Sequence, residues 1–289
     1  MFKCKNCNSL SHLFIYKDLP DRFCQHEGRF DYVRCKDCGL FQLFEIPEKL
    51  EEFYSSYRPH QEESVGYQFF RKMIMGHCYP FPENPQGKLL DVGCGNGWYL
   101  REMEKKKWQA FGCEFDKKFA RKLSSKLKMP VLTDEDLEEY TNFFDLVTLN
   151  FSFEHLNNPI KMLELVYNSL KKGGKVFISV PNIDSGEAKL FKEKWFHLDP
   201  PRHITLFNKD LLSKLLRQVG FGNIQIENLA IPTGFAGSIS YKLGGVFHPL
   251  TWKINVVPGM LFCLFMRDGN YRISGIKGNG EKKKDSLST

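Results

Sequence analysis

The sequence lacks a run of apolar residues long enough to cross a lipid bilayer, which takes about 20 of them. Its longest such run, from Val256 to Met266, has 11 residues and contains a Pro-Gly pair. The start of the chain also lacks the apolar core of a secretory signal peptide, because Lys3 and Lys5 are followed by cysteines and polar residues. We therefore expect a cytoplasmic protein whose nine cysteines are thiols or metal ligands rather than disulfides.

A strong excess of one charge is also missing. The 289 residues carry a formal net charge of +7, and it is spread over lysine-rich stretches such as residues 117–128. A spread excess is typical of a solvated surface, and no stripe of basic and aromatic residues stands out. We expect no nucleic-acid partner, and the sequence shows no internal repeat. It leaves the oligomeric state open.

Composition divides the chain into four regions. Residues 1–46 bear cysteines and aromatic residues without a helical period. Residues 47–85 read as a linker with helical stretches at 47–57 and 65–79. Residues 86–277 alternate between strand and helix patterns, which is typical of a parallel sheet covered by helices on both faces. The polar residues 278–289 are expected to be a disordered tail.

Within the third region, strands are predicted at residues 88–92, 110–114, 130–133, 145–150, 176–180 and 223–228. Helices are predicted at 98–107, 117–127, 160–170 and 209–219. Asn208 is the predicted N-cap of the last helix and Gly220 its predicted end. Lys172-Gly173-Gly174 is predicted to end the preceding helix in the same way.

Two cysteine pairs predict a metal site near the N-terminus. Cys4 and Cys7 form one Cys-x-x-Cys pair, and Cys35 and Cys38 form another. Four thiolates at this spacing suit a tetrahedral Zn²⁺ ion, and a sphere closed by four sulfurs leaves no position for substrate, so the predicted zinc is structural. A region of this size gains from a metal because it buries little surface by itself. Cys24, between the pairs, is predicted to serve in packing.

The stretch from Leu89 to Gly97 is an apolar run that ends in an acid, Asp91, and three glycines at alternate positions. This pattern predicts a buried strand with a sharp exit where a ligand lies against bare backbone. A dinucleotide site needs a further glycine where this chain has Trp98, and a phosphate-binding P-loop needs a Gly-Lys-Ser/Thr triplet that is absent. Glu114, at the end of the second predicted strand, can accept hydrogen bonds from both hydroxyls of a ribose.

These residues resemble the cofactor site of class I S-adenosylmethionine-dependent methyltransferases. The resemblance extends from residue 86 to residue 221 and includes the glycine loop, Glu114, Phe144 to Asn150, the Glu154-His155-Leu156 triplet and the Gly173-Gly174 pair. It implies a Rossmann-like α/β fold with a seven-stranded sheet and an antiparallel final strand, here near residues 271–276. The cysteine-bearing region would add a small zinc-ribbon-like module.

The resemblance also assigns cofactor-binding roles. It brings the backbone of Gly93, Cys94, Gly95 and Gly97 against the methionine part, with Asp91 near the amino group. Glu114 would bind the ribose and Phe115 would lie beside the adenine, whose amine Asp134 would contact. Asn150 and Phe151 would border the reacting methyl group, and the linker of residues 47–85 would form a lid.

Methyl transfer to oxygen or carbon requires removal of a proton, a task that suits histidine near neutral pH. His155 follows the fourth strand of the predicted sheet, and His197 and His203 follow the fifth. His203 and His155 are the candidate catalytic residues, with Arg202 as a candidate holder of an anionic acceptor. The alternative is that these histidines only brace their loops.

A paired-cysteine module joined to such a domain resembles a subset of these methyltransferases that often methylate sugars or other small metabolites. This resemblance implies a methyltransferase that acts on a small molecule, a sugar or nucleotide-sugar-like metabolite. The alternatives are an RNA or protein methyltransferase, or a domain that binds the cofactor without catalysis. The apolar segment 229–266 is expected to pack in the core and wall the acceptor pocket. Its alternative is a weak contact with a membrane surface, since Lys242, Lys253 and Arg267 flank it.

Overall fold

The structure of this chain is a computed structural model that describes residues 2–54, 72–73, 76–82 and 87–278. The linker helices expected within residues 47–57 and 65–79 fall largely outside these residues. The described part of the linker contains short 3₁₀ helices at Leu50–Tyr54 and Gly76–Cys78. Nearly all of the tail expected at 278–289 also lies outside the described residues.

Eleven strands and eight α-helices lie within the described residues. The strands are β1 (His12–Leu19), β2 (Phe30–Cys35), β3 (Phe41–Leu43), β4 (Lys88–Val92), β5 (Gln109–Cys113), β6 (Val131–Leu132), β7 (Phe144–Asn150), β8 (Leu170–Pro181), β9 (Thr205–Leu206), β10 (Phe221–Leu229) and β11 (Asn270–Lys277). The helices are α1 (Trp98–Lys105), α2 (Lys117–Leu127), α3 (Asp134–Leu137), α4 (Pro159–Ser169), α5 (Gly186–Phe191), α6 (Lys209–Val219), α7 (Pro232–Gly244) and α8 (Pro249–Phe265).

The larger sheet has seven strands in the order β10-β11-β8-β7-β4-β5-β6. Strands β8, β7, β4, β5 and β6 pair in parallel, whereas β11 pairs antiparallel with β8 and with β10. The expected Rossmann-like sheet with an antiparallel final strand is therefore confirmed. The carboxyl ends of β4, β5 and β7 meet at one edge, which is where open α/β sheets bind ligands.

Local signals set the helix ends that the sequence predicted. Asn208 caps α6 by accepting a hydrogen bond from the N–H of Leu211 at 2.9 Å, and Gly220 ends this helix with a φ of +119°. Asp116 caps α2, the helix after β5, by accepting two backbone N–H groups.

One predicted helix end is wrong. Residues 172–174 were expected to end a helix, but α4 ends at Ser169 and those residues belong to β8. The strand begins early because Leu170 already pairs with β7, and Gly173, with a φ of +75°, lies in the irregular stretch that follows. The Nζ of Lys277 donates to the carbonyl of Leu170 at 2.7 Å and so helps to close the helix end.

A second sheet has four strands in the antiparallel order β1-β2-β3-β9. Its first three strands come from the N-terminal region, where we predicted no strands, and β9 follows His203 by one residue. Tyr32, Phe41 and Trp195 share a buried cluster on this sheet. The N-terminal region is thus joined by hydrogen bonds and by packing to the loop that bears the histidines.

The apolar segment 229–266 contains the hairpin of α7 and α8. Helix α8 buries Val256, Gly259 and Cys263, but its other large side chains are mostly exposed, so packing accounts for only one face. No helix among the described residues is long and apolar enough to cross a membrane.

Candidate functional site

The loop between β4 and α1 has a backbone that glycine adopts most readily. Gly93, Gly95 and Gly97 have φ angles of +72°, +56° and +72°. A Cβ on Gly93 would lie 2.4 Å from the Cβ of Ser152, and one on Gly97 would lie 2.3 Å from Cδ1 of Leu127. The positive φ angles and the close contacts with Ser152 and Leu127 therefore account for glycine at these positions, and Gly93 and Gly95 are half-buried at the ligand-binding edge whereas Gly97 is buried.

Asp91 and Asn150 are neighbours across this edge. Oδ1 of Asp91 accepts hydrogen bonds from Oγ1 of Thr148 at 2.6 Å and from Nδ2 of Asn150 at 3.1 Å. Burial raises the pKa of Asp91 to about 7. Oδ1 of Asn150 is buried without a hydrogen-bond partner. Because buried polar atoms are normally paired, this oxygen suits a donor that comes from a ligand.

Glu114 reaches back over the glycine loop from the end of β5. Its Oε1 accepts a hydrogen bond from the N–H of Gly95 at 2.5 Å. Burial, and then the charge of Asp91, raise the pKa of Glu114 to about 8. No lysine or arginine of the described residues pairs with either carboxyl group, so the two create a buried region that favours hydroxyl or cationic ligand groups.

The raised pKa values predict that the ligand-free protein loses stability as the pH rises. In the unfolded chain both carboxyl groups ionise near pH 4, whereas in the fold they hold protons up to about 7 for Asp91 and about 8 for Glu114. Their stabilising contribution is complete below the unfolded values and is lost as pH rises through the folded ones. Thermal denaturation should show Tm falling between about pH 4 and 8, and falling less in Glu114→Gln. Identical pH dependence of the two proteins would contradict this assignment.

The residues assigned to adenine lie beyond Glu114. Phe115 is 42% exposed, which leaves ring surface open. Asp134 begins α3 together with Glu135 and Asp136. Asp136 is engaged in a capping box with Thr133, and Glu135 pairs with a lysine at 2.7 Å. Within the described part of the chain, Asp134 is the acid of this turn whose carboxyl group has no such partner.

Cys94 belongs to the glycine loop, and Phe151 directly follows the neighbouring strand β7. The Sγ of Cys94 faces β5, because a Cβ on Gly112 would lie 2.6 Å from it. The thiol of Cys94 also hydrogen-bonds with the carboxyl group of Glu114. Phe151 has a φ of +54°, which is rare for a bulky residue, and its N–H donates to the carbonyl of Ser179 at 2.9 Å. The strained backbone holds Phe151 at the carboxyl end of β7.

Glu154, His155 and His203 form a side-chain cluster, and the first two follow Phe151 closely in the sequence. One ligand atom from each lies within 4.8 Å of the others, and the two imidazole rings are 4.7 Å apart in an edge-on arrangement. Glu154 is buried, and its Oε2 has no hydrogen-bond partner. Burial raises the pKa of Glu154 to about 8. The cluster can accept protons, and its donor set also suits a divalent metal ion.

Hydrogen bonds orient both rings of the cluster. Nδ1 of His203 lies 2.7 Å from the carbonyl oxygen of His197, and Nδ1 of His155 lies 3.0 Å from that of Arg202 and 3.1 Å from the hydroxyl of Tyr54. A carbonyl accepts only, so Nδ1 of His203 carries its proton and Nε2 is left with the lone pair. Burial lowers the pKa of His203, which keeps the ring neutral near pH 7.

The expectation that Arg202 holds an anionic acceptor is wrong. Arg202 is fully buried, and its guanidinium group pairs with Asp199 at 2.5 Å and with Asp21 at 2.6 Å. Each carboxylate accepts hydrogen bonds from the guanidinium group through both of its oxygens. The arginine therefore locks the loop after β8 onto the N-terminal region and has no donor directed at a ligand.

His197 has a supporting position. Burial lowers its pKa to about 3, and its Nε2 is buried without a partner against Gly234 of α7, where a Cβ would lie 2.6 Å away. A ring that cannot be protonated near neutral pH makes a poor proton carrier. Its backbone carbonyl, which fixes the tautomer of His203, is its visible contribution.

The four predicted metal ligands come together. The Sγ atoms of Cys4 and Cys38 are 3.5 Å apart, those of Cys7 and Cys35 are 3.6 Å apart, and all four lie within 4.8 Å of one another. A tetrahedral zinc ion with Zn–S bonds of about 2.3 Å has sulfurs about 3.8 Å apart. Cys24 is outside this cluster.

Two features of the site were missed from the sequence. Tyr54 lies in the linker and meets His155 across the site, and no local pattern marks such a long-range contact. The pairing of Asp199 with Arg202 had a signal, because an acid and an arginine three residues apart in a short turn can meet. The partner Asp21, distant in sequence, had none.

Comparison with known proteins agrees with this geometry. A family model described as a methyltransferase domain matches residues 68–226, which is more than half of the chain. A tRNA U34 carboxymethyltransferase of Campylobacter fetus is 33% identical over 126 residues, covering 40% of this chain and 44% of that protein. A ubiquinone biosynthesis O-methyltransferase of Aliivibrio fischeri is 31% identical over 112 residues, covering 35% of this chain and 48% of that protein. The match thus spans less than half the length of either relative.

Among solved structures, a chain from the complex between the Haloferax volcanii Trm112 methyltransferase activator and a methyltransferase is similar in fold. It superposes with a TM-score of 0.54 over 81% of this chain and 100% of its own length, at 14% identity. At that identity the likeness concerns the fold alone.

Proposed function

Since the chain belongs to the methyltransferase-domain family, we propose that it transfers the methyl group of S-adenosylmethionine to a small molecule, a sugar or nucleotide-sugar-like metabolite. The observation that carries the cofactor is the buried Glu114 over the glycine loop, bonded to Gly95. The observation that favours a small acceptor is the burial of the histidine cluster, in which His203 is only 5% exposed. An acceptor must bring a slim reactive group to this buried ring.

The residues present fit the cofactor. Glu114 would accept the ribose hydroxyls, and Asp91 with the unpartnered oxygen of Asn150 would accept the amino group. Phe115 and Asp134 would bind the adenine. When bound, the cofactor supplies an electrophilic methyl group whose thioether leaving group needs no acid. The chain's own task is then to align the acceptor and to take its proton.

His203 is the proposed general base. Its Nδ1 is held by the carbonyl of His197, so its Nε2 is the nitrogen able to accept a proton. Because burial lowers the pKa of His203, the base-competent neutral form dominates near pH 7. His155 is the second candidate. The buried Oε2 of Glu154 lies near both rings without a hydrogen-bond partner, and because the pKa of Glu154 is about 8, this group would stabilise positive charge on the rings only in its ionised form, above neutral pH.

The four-cysteine cluster is proposed to bind one structural zinc ion. The sulfur separations of 3.5 and 3.6 Å approach those of a tetrahedral site, and four protein sulfurs leave no open position. The cluster lies in the N-terminal region, whose strands form one sheet with β9. Strand β9 begins just after His203. Zinc would therefore stabilise the loop of the proposed base from a distance, without touching the acceptor.

Metal analysis tests this assignment. Chain purified without chelators should contain about one zinc ion, and Cys35→Ser should lower both the zinc content and Tm, because metal binding contributes folding free energy. Cys24→Ser is the matched control and should retain the metal. A second equivalent of metal that disappears in His155→Ala would instead assign a metal ion to the histidine cluster.

A tRNA acceptor is the second candidate, because one relative is named as a tRNA carboxymethyltransferase. Incubation of the chain with methyl-labelled cofactor and either nucleotide sugars or total tRNA separates the two. Formation of S-adenosylhomocysteine with a nucleotide sugar would support the proposal. Labelled tRNA would replace the small-molecule proposal with tRNA methylation. If the chain transfers no methyl group to either class of acceptor, the result would favour a domain that only binds the cofactor.

A further inference from the structure

Helix α8 carries a continuous apolar surface that no described residue covers. Its members recur at intervals of four and three residues, so they lie along one side of the helix. Their side chains are between 59% and 88% exposed, although large apolar side chains normally gain from burial. The α8 apolar surface consists of Leu250, Ile254, Val257, Leu261, Leu264 and Phe265.

The charges within the segment that carries this surface all have one sign, and the next residue, Asp268, directs its carboxylate to the N–H of Gly186 at 3.1 Å. From Leu229 to Arg267 the sequence contains no aspartate or glutamate. Its cationic residues are Lys242, Lys253 and Arg267, and all three are exposed. Lys253 lies within α8, between Leu250 and Ile254 of the apolar surface. An apolar face on a segment whose charged side chains are all positive complements a surface that is apolar inside and anionic outside.

The other face of α8 packs on α7, which in turn packs on the loop that bears the histidines. Gly259 packs so closely on α7 that a Cβ there would lie 2.6 Å from the carbonyl oxygen of Pro232. In turn α7 packs through Gly237 on Phe196 and through Gly234 on His197, where added Cβ atoms would lie 2.1 and 2.6 Å from the rings. The apolar surface is therefore one helix layer from the loop that holds His203.

We propose that the α8 apolar surface docks on an anionic lipid bilayer, with the helix lying in the plane of the headgroups. No described helix can span a membrane, so contact is restricted to the surface. A second copy of the chain is the less suitable occupant, because a symmetric dimer through this face would oppose like charges with no carboxylate to pair them. Docking would bring the proposed acceptor site close to the membrane without depending on which acceptor it takes.

Vesicle flotation of the full chain tests the proposal. Vesicles of phosphatidylglycerol mixed with phosphatidylcholine should bind the chain at least about tenfold more strongly than phosphatidylcholine alone, and added salt should weaken this binding. The double substitution Ile254→Glu and Leu261→Glu should abolish flotation. Since both side chains are exposed, the Tm of this double variant and its affinity for S-adenosylmethionine should remain those of the wild type.

The control is Leu13→Glu, which introduces the same charge at a 56% exposed leucine in β1, outside the α8 apolar surface. It should float like the wild type. Absence of binding to anionic vesicles would overturn the proposal, as would equal loss in Leu13→Glu. A concentration-dependent dimer that the double substitution dissociates, without vesicle binding, would assign the surface to a second copy instead.

Discussion

Replacement of His203 by alanine should lower kcat by about 10²- to 10⁴-fold while leaving the Kd for S-adenosylmethionine nearly unchanged. The expected loss follows from the removal of the nitrogen that accepts the acceptor's proton. The affinity should persist because the groups assigned to the cofactor lie on the glycine loop and at the ends of β5 and β7, and His203 bonds to none of them. Steady-state kinetics and calorimetry measure the two quantities separately.

A conservative variant distinguishes a base from a brace. The amide of His203→Asn can still donate to the carbonyl of His197, which in the wild type lies 2.7 Å from Nδ1, but it cannot take up a proton. Equal losses of kcat in both variants would support proton transfer. Recovery of activity in His203→Asn would show that the ring only holds its loop, and wild-type turnover in His203→Ala with a loss in His155→Ala would move the role to His155.

The pH dependence of the reaction also tests the assignment of His203 as the general base. The pKa of His203 is lowered by burial, so the neutral ring persists below the pH at which a solvated histidine gains its proton. The activity should therefore be flat near pH 7 and fall only toward acid.

Replacement of Glu114 by alanine should weaken the binding of S-adenosylmethionine by about 100-fold or more, since leaving a buried hydrogen-bonding group without its partner costs about 1 to 3 kcal/mol and a ribose offers two such groups. Calorimetric titration of the folded variant gives the Kd directly. The loss should fall on affinity, because the carboxyl group lies over the glycine loop and not in the histidine cluster.

Two further variants control this result. Glu135→Ala removes a nearby exposed acid that pairs with Lys117 and should leave the Kd unchanged. Glu114→Gln keeps one oxygen for the N–H of Gly95 but replaces the second oxygen with an amide nitrogen, so its Kd should lie between those of the wild type and Glu114→Ala. An unchanged Kd in Glu114→Ala would remove Glu114 from the ribose site.

The parts of the fold that could be predicted from the sequence are those with local signals. The run from Lys88 to Val92 is apolar because β4 is buried within the sheet, and the glycines after it are needed for positive φ angles. Asn208 and Gly220 mark their helix by hydrogen bonds that span only a few residues. These elements agree with the structure because chain neighbours decide them.

The parts that failed depend on distant partners. Arg202 looks like an anion-binding residue in the sequence, but Asp21 meets it in a buried pair, and no local pattern reveals burial. The strands of the N-terminal region are short, and one edge of their sheet is completed by β9, which is distant from them in the sequence. The exposure of α8 was equally hidden, because an apolar sequence does not tell which of its faces is covered.

Calorimetric titration of the full chain with S-adenosylmethionine and, in parallel, with a nicotinamide dinucleotide tests the central claim most directly. The glycine loop with Trp98 in place of a further glycine, and Glu114 above it, predict saturable binding of about one S-adenosylmethionine per chain and no binding of the dinucleotide. Binding of the dinucleotide, or failure of the folded chain to bind S-adenosylmethionine, would contradict the account.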